Sequence, residues 1–172
     1  MSKQLIWEVY DNYRTVRLNV KYYAERLEKF VRWNMTFEIG IAISAPGSVV
    51  SGLWFLKNET GIVAWQCIAA VTAILAFLKP FFRFTHQIKK YEQTLSGYRS
   101  LDQDLYEVTL QIKNDEAYSP AAKKMFAAAL KKMKILVAAP PERKYNTALV
   151  AKLVNAVNEE LPKDSFYFPK EN

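Results

Sequence analysis

The chain holds few of the side chains from which active sites are built. His86 is its only histidine and Cys67 its only cysteine. A metal centre needs several nitrogen, sulfur or carboxylate ligands converging on one point. No carboxylate or cysteine stands at ligand spacing from His86, and a Ser-His-acid triad would rest on that residue alone. The five glycines are scattered at 40, 47, 52, 61 and 97, which gives no phosphate-cradling loop. His86 therefore reads as a plain polar residue, and Cys67 as a small apolar filler. A single cysteine forms no intramolecular disulfide, which fits a reducing compartment. These residues predict no catalytic group, no metal, no cofactor and no enzyme.

What chemistry remains is that of charge and small side chains set in apolar sequence. Trp33 to Leu56 carries one charged residue, Glu38, and Thr60 to Leu78 carries none. Only Lys57, Asn58 and Glu59 separate the two stretches. About 20 mostly apolar residues suffice to cross a bilayer as a helix, so the pattern predicts a transmembrane hairpin. Lys21, Arg26, Lys29 and Arg32 precede it, and Lys79, Arg83, Lys89 and Lys90 follow it. Cytoplasmic flanks carry the excess of Lys and Arg, which predicts that both termini are cytoplasmic. The net charge of +7 is then accounted for by topology and an anionic lipid surface, and no nucleic acid is expected.

Within the first stretch, Gly40, Ser44, Ser48 and Ser51 fall on one side with Gly47 close by. Small residues at that spacing let helices approach closely, and serines bond across the contact; the same residues also suit a narrow wet pore. Gln66 begins a smaller version of this face with Ala70 and Ala73. Pro46 and Gly47 predict a kink, a natural hinge. Glu38 has two readings. It snorkels or pairs near the interface, or it forms an acidic ring at a cation pore. Two helices enclose no water path, so a pore needs several copies of the chain.

A second charged feature lies further on. Lys123, Lys124, Lys131 and Lys134 fall within an arc of about 100° at 100° per residue. They lie beside an apolar face of Phe126, Leu130, Met133 and Val137. This basic amphipathic helix suits a membrane surface, an anionic ligand or partner, or plain solvation.

The elements that must position these residues follow from periodicity. Residues 1–32 contain no Gly or Pro, and Leu5, Val9, Tyr13, Val16, Val20, Tyr23, Leu27 and Phe30 form a helical stripe. Phe84, Ile88, Tyr91, Leu95 and Tyr98 form another, continued by Leu101, Leu105, Val108 and Ile112, with a slip and a predicted bend at Gly97. Two seams leaving one face of a hairpin pack as an antiparallel stalk. A break at Lys113–Ser119 precedes a helix capped by Ser119 with Pro120 at its first position. That helix runs to about Val137 and ends at Ala139-Pro140-Pro141. A last helix starts from Asn146 or Thr147 and stops at Pro162. The aromatic tail from Ser165 to Pro169 is expected to dock, and it alone could also read as a strand.

The expected organisation is a cytoplasmic amphipathic helix at 1–32, spans at 33–56 and 60–78 around a periplasmic turn at 57–59, a stalk helix at 79–114 and a helical region at 115–172. The expected fold is an all-α membrane protein; a mean hydropathy of −0.13 excludes a polytopic transporter.

This arrangement resembles the SLATT superfamily of bacterial two-helix membrane proteins over roughly residues 14–115. The resemblance rests on the basic lead-in from Arg26-Leu27 to Arg32-Trp33, the tight hairpin and the long helix beginning near Lys79-Pro80. It implies an oligomeric, pore-forming or membrane-perturbing effector of the inner membrane, acting in antiviral defence beside a nucleotide-signal protein. With no sensor domain evident, sensing falls to residues 115–172 or to a separate cytoplasmic partner. The alternative is a non-conducting membrane anchor or scaffold whose stalk recruits a cytoplasmic partner.

Overall fold

The computed structural model describes residues 2–43, 61, 63, 66, 67, 70–74, 76, 77 and 83–167. Four α-helices are bounded among them: α1 (Ser2–Ile43), α2 (Phe84–Asn114), α3 (Pro120–Ala138) and α4 (Thr147–Glu160), followed by a 3-10 turn at Lys163–Ser165. No strand occurs among the described residues. The chain divides into two compact units, one of residues 1–26 with 90–172 and one of residues 27–89.

The expectation of a membrane protein is corrected here. No helix among the described residues is long and apolar enough to cross a membrane. Only Trp33 to Ile43 of the expected first span falls in α1, and the rest of that helix is rich in charge from Lys3 to Arg32. The inner-membrane location, the transmembrane helices and the pore or channel built from them are therefore not supported. The remainder of the first stretch and the turn at 57–59 lie outside the described residues.

The first unit is a helical bundle built on α1 and α2. The two helices run antiparallel, as three contacts show: Tyr13 meets Tyr106 at 6.5 Å between ring centroids, Arg17 meets Asp102, and Tyr23 stacks on Tyr98 at 5.3 Å. Their core positions, Val9, Tyr13, Val16 and Tyr23 on one side and Tyr91, Leu95, Tyr98, Leu101, Leu105, Val108 and Ile112 on the other, are all buried. Burial of such side chains contributes ~1.5–3 kcal/mol apiece before chain entropy is set against it.

Ile6, Tyr10 and Tyr22 are buried as well, although they lie off that seam. They face the C-terminal segments. The hydroxyl of Tyr10 donates to the carbonyl of Leu161 at 3.2 Å, and that of Tyr22 accepts from the amide of Asn146 at 2.9 Å.

Local chemistry sets the ends of α3 and α4. The Ser119 hydroxyl accepts from the amide of Ala122 at 3.2 Å with Pro120 in the first turn, and the Asn146 side chain accepts from the amide of Leu149 at 3.0 Å. Each cap satisfies one amide that the helix itself leaves without a partner. After α2, Glu116 takes a left-handed φ of 50°, reversing the chain before α3.

Gly97 lies within α2, which continues through it as helix. A Cβ at this position would lie 2.5 Å from Leu136 Cδ2 of α3. The glycine thus serves the close approach of α3 to α2.

The second unit is described in part. Phe37 contacts Phe84 at 5.2 Å and Trp33 at 6.4 Å. Val31, Trp33, Met35 and Ile39 of α1 are exposed, as are Val63, Val71, Ile74 and Phe77.

Candidate functional site

Three polar clamps fix the helices of the first unit. In the first, Arg17 of α1 lies 3.2 Å from Asp102 of α2 and 3.7 Å from Glu160 of α4, while Lys21 reaches Glu160 at 2.7 Å. Arg17 also donates to the Tyr13 hydroxyl at 2.8 Å. Burial pushes the Asp102 carboxyl up, with Arg17 opposing that shift and Glu160 adding to it. In the second clamp, Arg26 Nη2 donates to Glu142 Oε2 at 2.7 Å, tying α1 to the segment between α3 and α4. The third is Lys132 of α3 on Asp104 of α2 at 2.6 Å. These groups are committed to one another, so the clamps are scaffolding for the surface they hold.

The second clamp sits among tyrosines. Tyr22, Tyr23, Tyr91 and Tyr98 are all buried, and the hydroxyls of Tyr23 and Tyr145 lie 3.2 Å apart. Burial pushes the Tyr91 and Tyr98 phenols up to about 12, and Tyr23 higher still. The folded state therefore favours the neutral phenols. Unfolded tyrosines ionise near pH ~10, so this contribution is complete below pH 10 and is lost as pH rises from 10 through 12. Tyrosinate absorbance of this set should rise in step with loss of helical circular dichroism. Phenolates that form near pH ~10 with the helices intact would contradict the burial.

The face of α3 turned from the bundle is the prominent charged surface. The helix buries Ala122, Phe126 and Ala129. Lys123, Lys124, Lys131 and Lys134 are exposed on the opposite arc, and none takes part in an ion pair among the described residues. The helix contains five lysines, counting Lys132, and no acidic residue. Ala127 and Ala138 lie between the four on the same arc, so the surface is flat. From Lys123 to Lys134 it runs about 16 Å at 1.5 Å per residue. Ile135 stands beside it, 72% exposed.

The other predicted site residues lie on α1, in the partly described stretch after it, or outside the described residues. Glu38 is exposed on α1, its Oε1 accepting from Asn34 Nδ2 at 3.0 Å. Gly40 lies on the same helix with open space where a Cβ would project. Gln66 and Cys67 are exposed in helical conformation. Ser44, Pro46, Gly47, Ser48 and Ser51 lie outside the described residues. His86 is exposed on α2. No group of three or more His, Cys, Asp or Glu suited to a metal ion occurs among the described residues.

Sequence reasoning missed the clamps and the cleft at the end of the bundle described below. The aromatic tail was the one signal for the latter. Phe166 sits edge-on to Tyr10 with ring centroids 3.9 Å apart.

A scan of family models, a search of curated proteins and a search of solved structures return no match for this chain. The likeness to the SLATT superfamily thus stands on sequence texture alone.

Proposed function

We propose that this chain is a recruitment scaffold, whose first unit holds the lysine face of α3 against an acidic segment of a partner protein. This keeps the recruiting half of the scaffold reading and drops the membrane anchor. The observation that carries it is the set of four exposed lysines, without an ion pair among the described residues, on a helix clamped on its other side. A separate sensor protein bearing an acidic helix fits the partner's role.

The surface chemistry favours a polypeptide over a nucleic acid. Lysine is a compact, hydrated point charge, without the planar fork by which arginine reads phosphate and base edges. No exposed aromatic side chain stands among the four lysines to stack a base. Alanines between them leave room for a second helix to lie alongside.

The test is a titration of the full chain with a glutamate-rich helical peptide at low and physiological salt. Exposed ion pairs contribute ~0.2–1 kcal/mol each. Changing Lys123, Lys124, Lys131 and Lys134 together to Gln should therefore weaken binding by roughly 4- to 1000-fold. The wild-type affinity should fall with added salt. Peptide binding unchanged in the quadruple variant would overturn the reading. So would tighter, salt-dependent binding of single-stranded nucleic acid or anionic vesicles to the same lysines.

A further inference from the structure

At one end of the first unit, the first turns of α1, the last turns of α2 and residues 161–167 enclose a cleft of about 240 Å³. At ~30 Å³ per water it has room for about eight. Its floor is apolar, formed by Ile6, Val9 and Ile112, each at most 3% exposed. Tyr106 and Leu110 of α2 form an outer wall, and Phe166 packs directly against Tyr10 at 3.9 Å and lies 6.1 Å from Tyr13 between ring centroids.

Two observations define what fits there. First, three of the hydroxyls lining the cleft spend their protons on the protein itself. Thr109 donates to the Tyr106 carbonyl at 2.6 Å, Ser165 to the Pro162 carbonyl at 2.7 Å, and Tyr10 to the Leu161 carbonyl at 3.2 Å. These three hydroxyls have no proton left for water in the cleft, which lowers the cost of displacing it with an apolar body. Second, Lys113 is the only charged side chain lining the cleft among the described residues, and it is exposed. Aromatic walls favour a flat ring, placed edge-on or offset against them.

We propose that this cleft is a binding site for a small aromatic monoanion. The ring system lies between Leu110 and Phe166, and the acid group meets the Lys113 ammonium. The site goes beyond the recruitment reading and is independent of the α3 lysines.

The probe is 2-naphthoate, with 2-naphthalenemethanol as its neutral counterpart, titrated calorimetrically into the full chain. Naphthoate should bind saturably with one site per chain. Lys113→Gln should weaken naphthoate about threefold, as expected for an exposed pair, and leave the alcohol unchanged. Leu110→Trp fills the cleft from its exposed wall, so the fold is retained by circular dichroism, and it should abolish binding of both probes. Absence of saturable naphthoate binding to wild type would overturn the site. Binding that survives Leu110→Trp would do the same. An equal effect of Lys113→Gln on acid and alcohol would overturn the assignment of an anion. Saturable binding of an aromatic peptide without saturable binding of naphthoate would overturn the small-ligand site and assign the cleft to a partner's side chain instead.

Discussion

Alanine at Tyr23 should destabilise the chain by about 3–5 kcal/mol, the range for removing a large buried ring. Tyr23 is fully buried, stacks on Tyr98 at 5.3 Å, and packs edge-on against Tyr22 at 5.4 Å. Tyr91 lies 6.1 Å away. Aromatic pairs of this geometry add ~0.5–1.5 kcal/mol beyond their area. Alanine would leave a cavity that three rigid rings cannot close.

The hydroxyl is a smaller matter. Its partner is Tyr145, 48% exposed, whose own hydroxyl can turn to water. Tyr23→Phe should therefore cost under about 1.5 kcal/mol. Denaturant unfolding followed by circular dichroism separates the two. For a chain of this length the alanine variant should melt on the order of 10 °C lower. Equal losses for Ala and Phe would show that the Tyr23–Tyr145 contact, and not ring packing, holds α1 to the rest.

Such packing explains which parts of the fold could be read beforehand. Periodicity of 3 and 4 reports which face of a helix is apolar. Val9, Tyr13, Val16 and Tyr23 could be picked out for that reason, while Leu5, Val20, Leu27 and Phe30 of the same stripe are only half-buried. Cap chemistry is local, so Ser119, Pro120 and Asn146 mark helix starts from a few residues of sequence. Tyr10 and Tyr22 escaped because α1 is covered on a second side, by α4 and the loop before it. A single-seam pattern does not anticipate that cover. Gly97 is ambiguous in sequence because a glycine's missing Cβ serves a bend or a close neighbour, and the position of Leu136 supplies the neighbour.

The hairpin reading failed for a different reason. Absence of charge over some 20 residues is a property of composition. It does not establish a continuous apolar helix long enough to span: among the described residues no helix is long and apolar enough to cross a membrane, and Glu38, exposed on α1, is bonded to Asn34. The clamps were out of reach altogether. Arg17, Arg26, Asp102, Glu142 and Glu160 look like ordinary surface charges in sequence. Their pairing spans 85 to 143 positions, and periodicity carries no information on partners. The lysine face was legible because it needs no partner within the chain.

Methionine at Arg26 should cost about 2–3 kcal/mol, somewhat less than the ~3–5 kcal/mol for breaking a fully buried ion pair. The side chains of Arg26 and Glu142 are 20% and 13% exposed, and the 2.7 Å bond between them fixes the α3–α4 segment on α1. The guanidinium also lies 6.0 Å from the centre of the Tyr91 ring. Methionine keeps the apolar stem, so the loss reports the charge and its bonds. Most of the cost comes from the Glu142 carboxylate left largely out of water without its cation. That predicts a specific non-additivity. Arg26→Met combined with Glu142→Leu should recover at least 1 kcal/mol relative to the sum of the single changes, since no charge is then stranded. Amide exchange over residues 139–146 should accelerate in the Arg26→Met chain before exchange in the α1–α2 core does, because the pair holds a segment and not the bundle. Strict additivity of the two substitutions, with exchange unchanged in that segment, would mean that the ion pair is incidental and that Tyr22 and Tyr23 alone seat the loop.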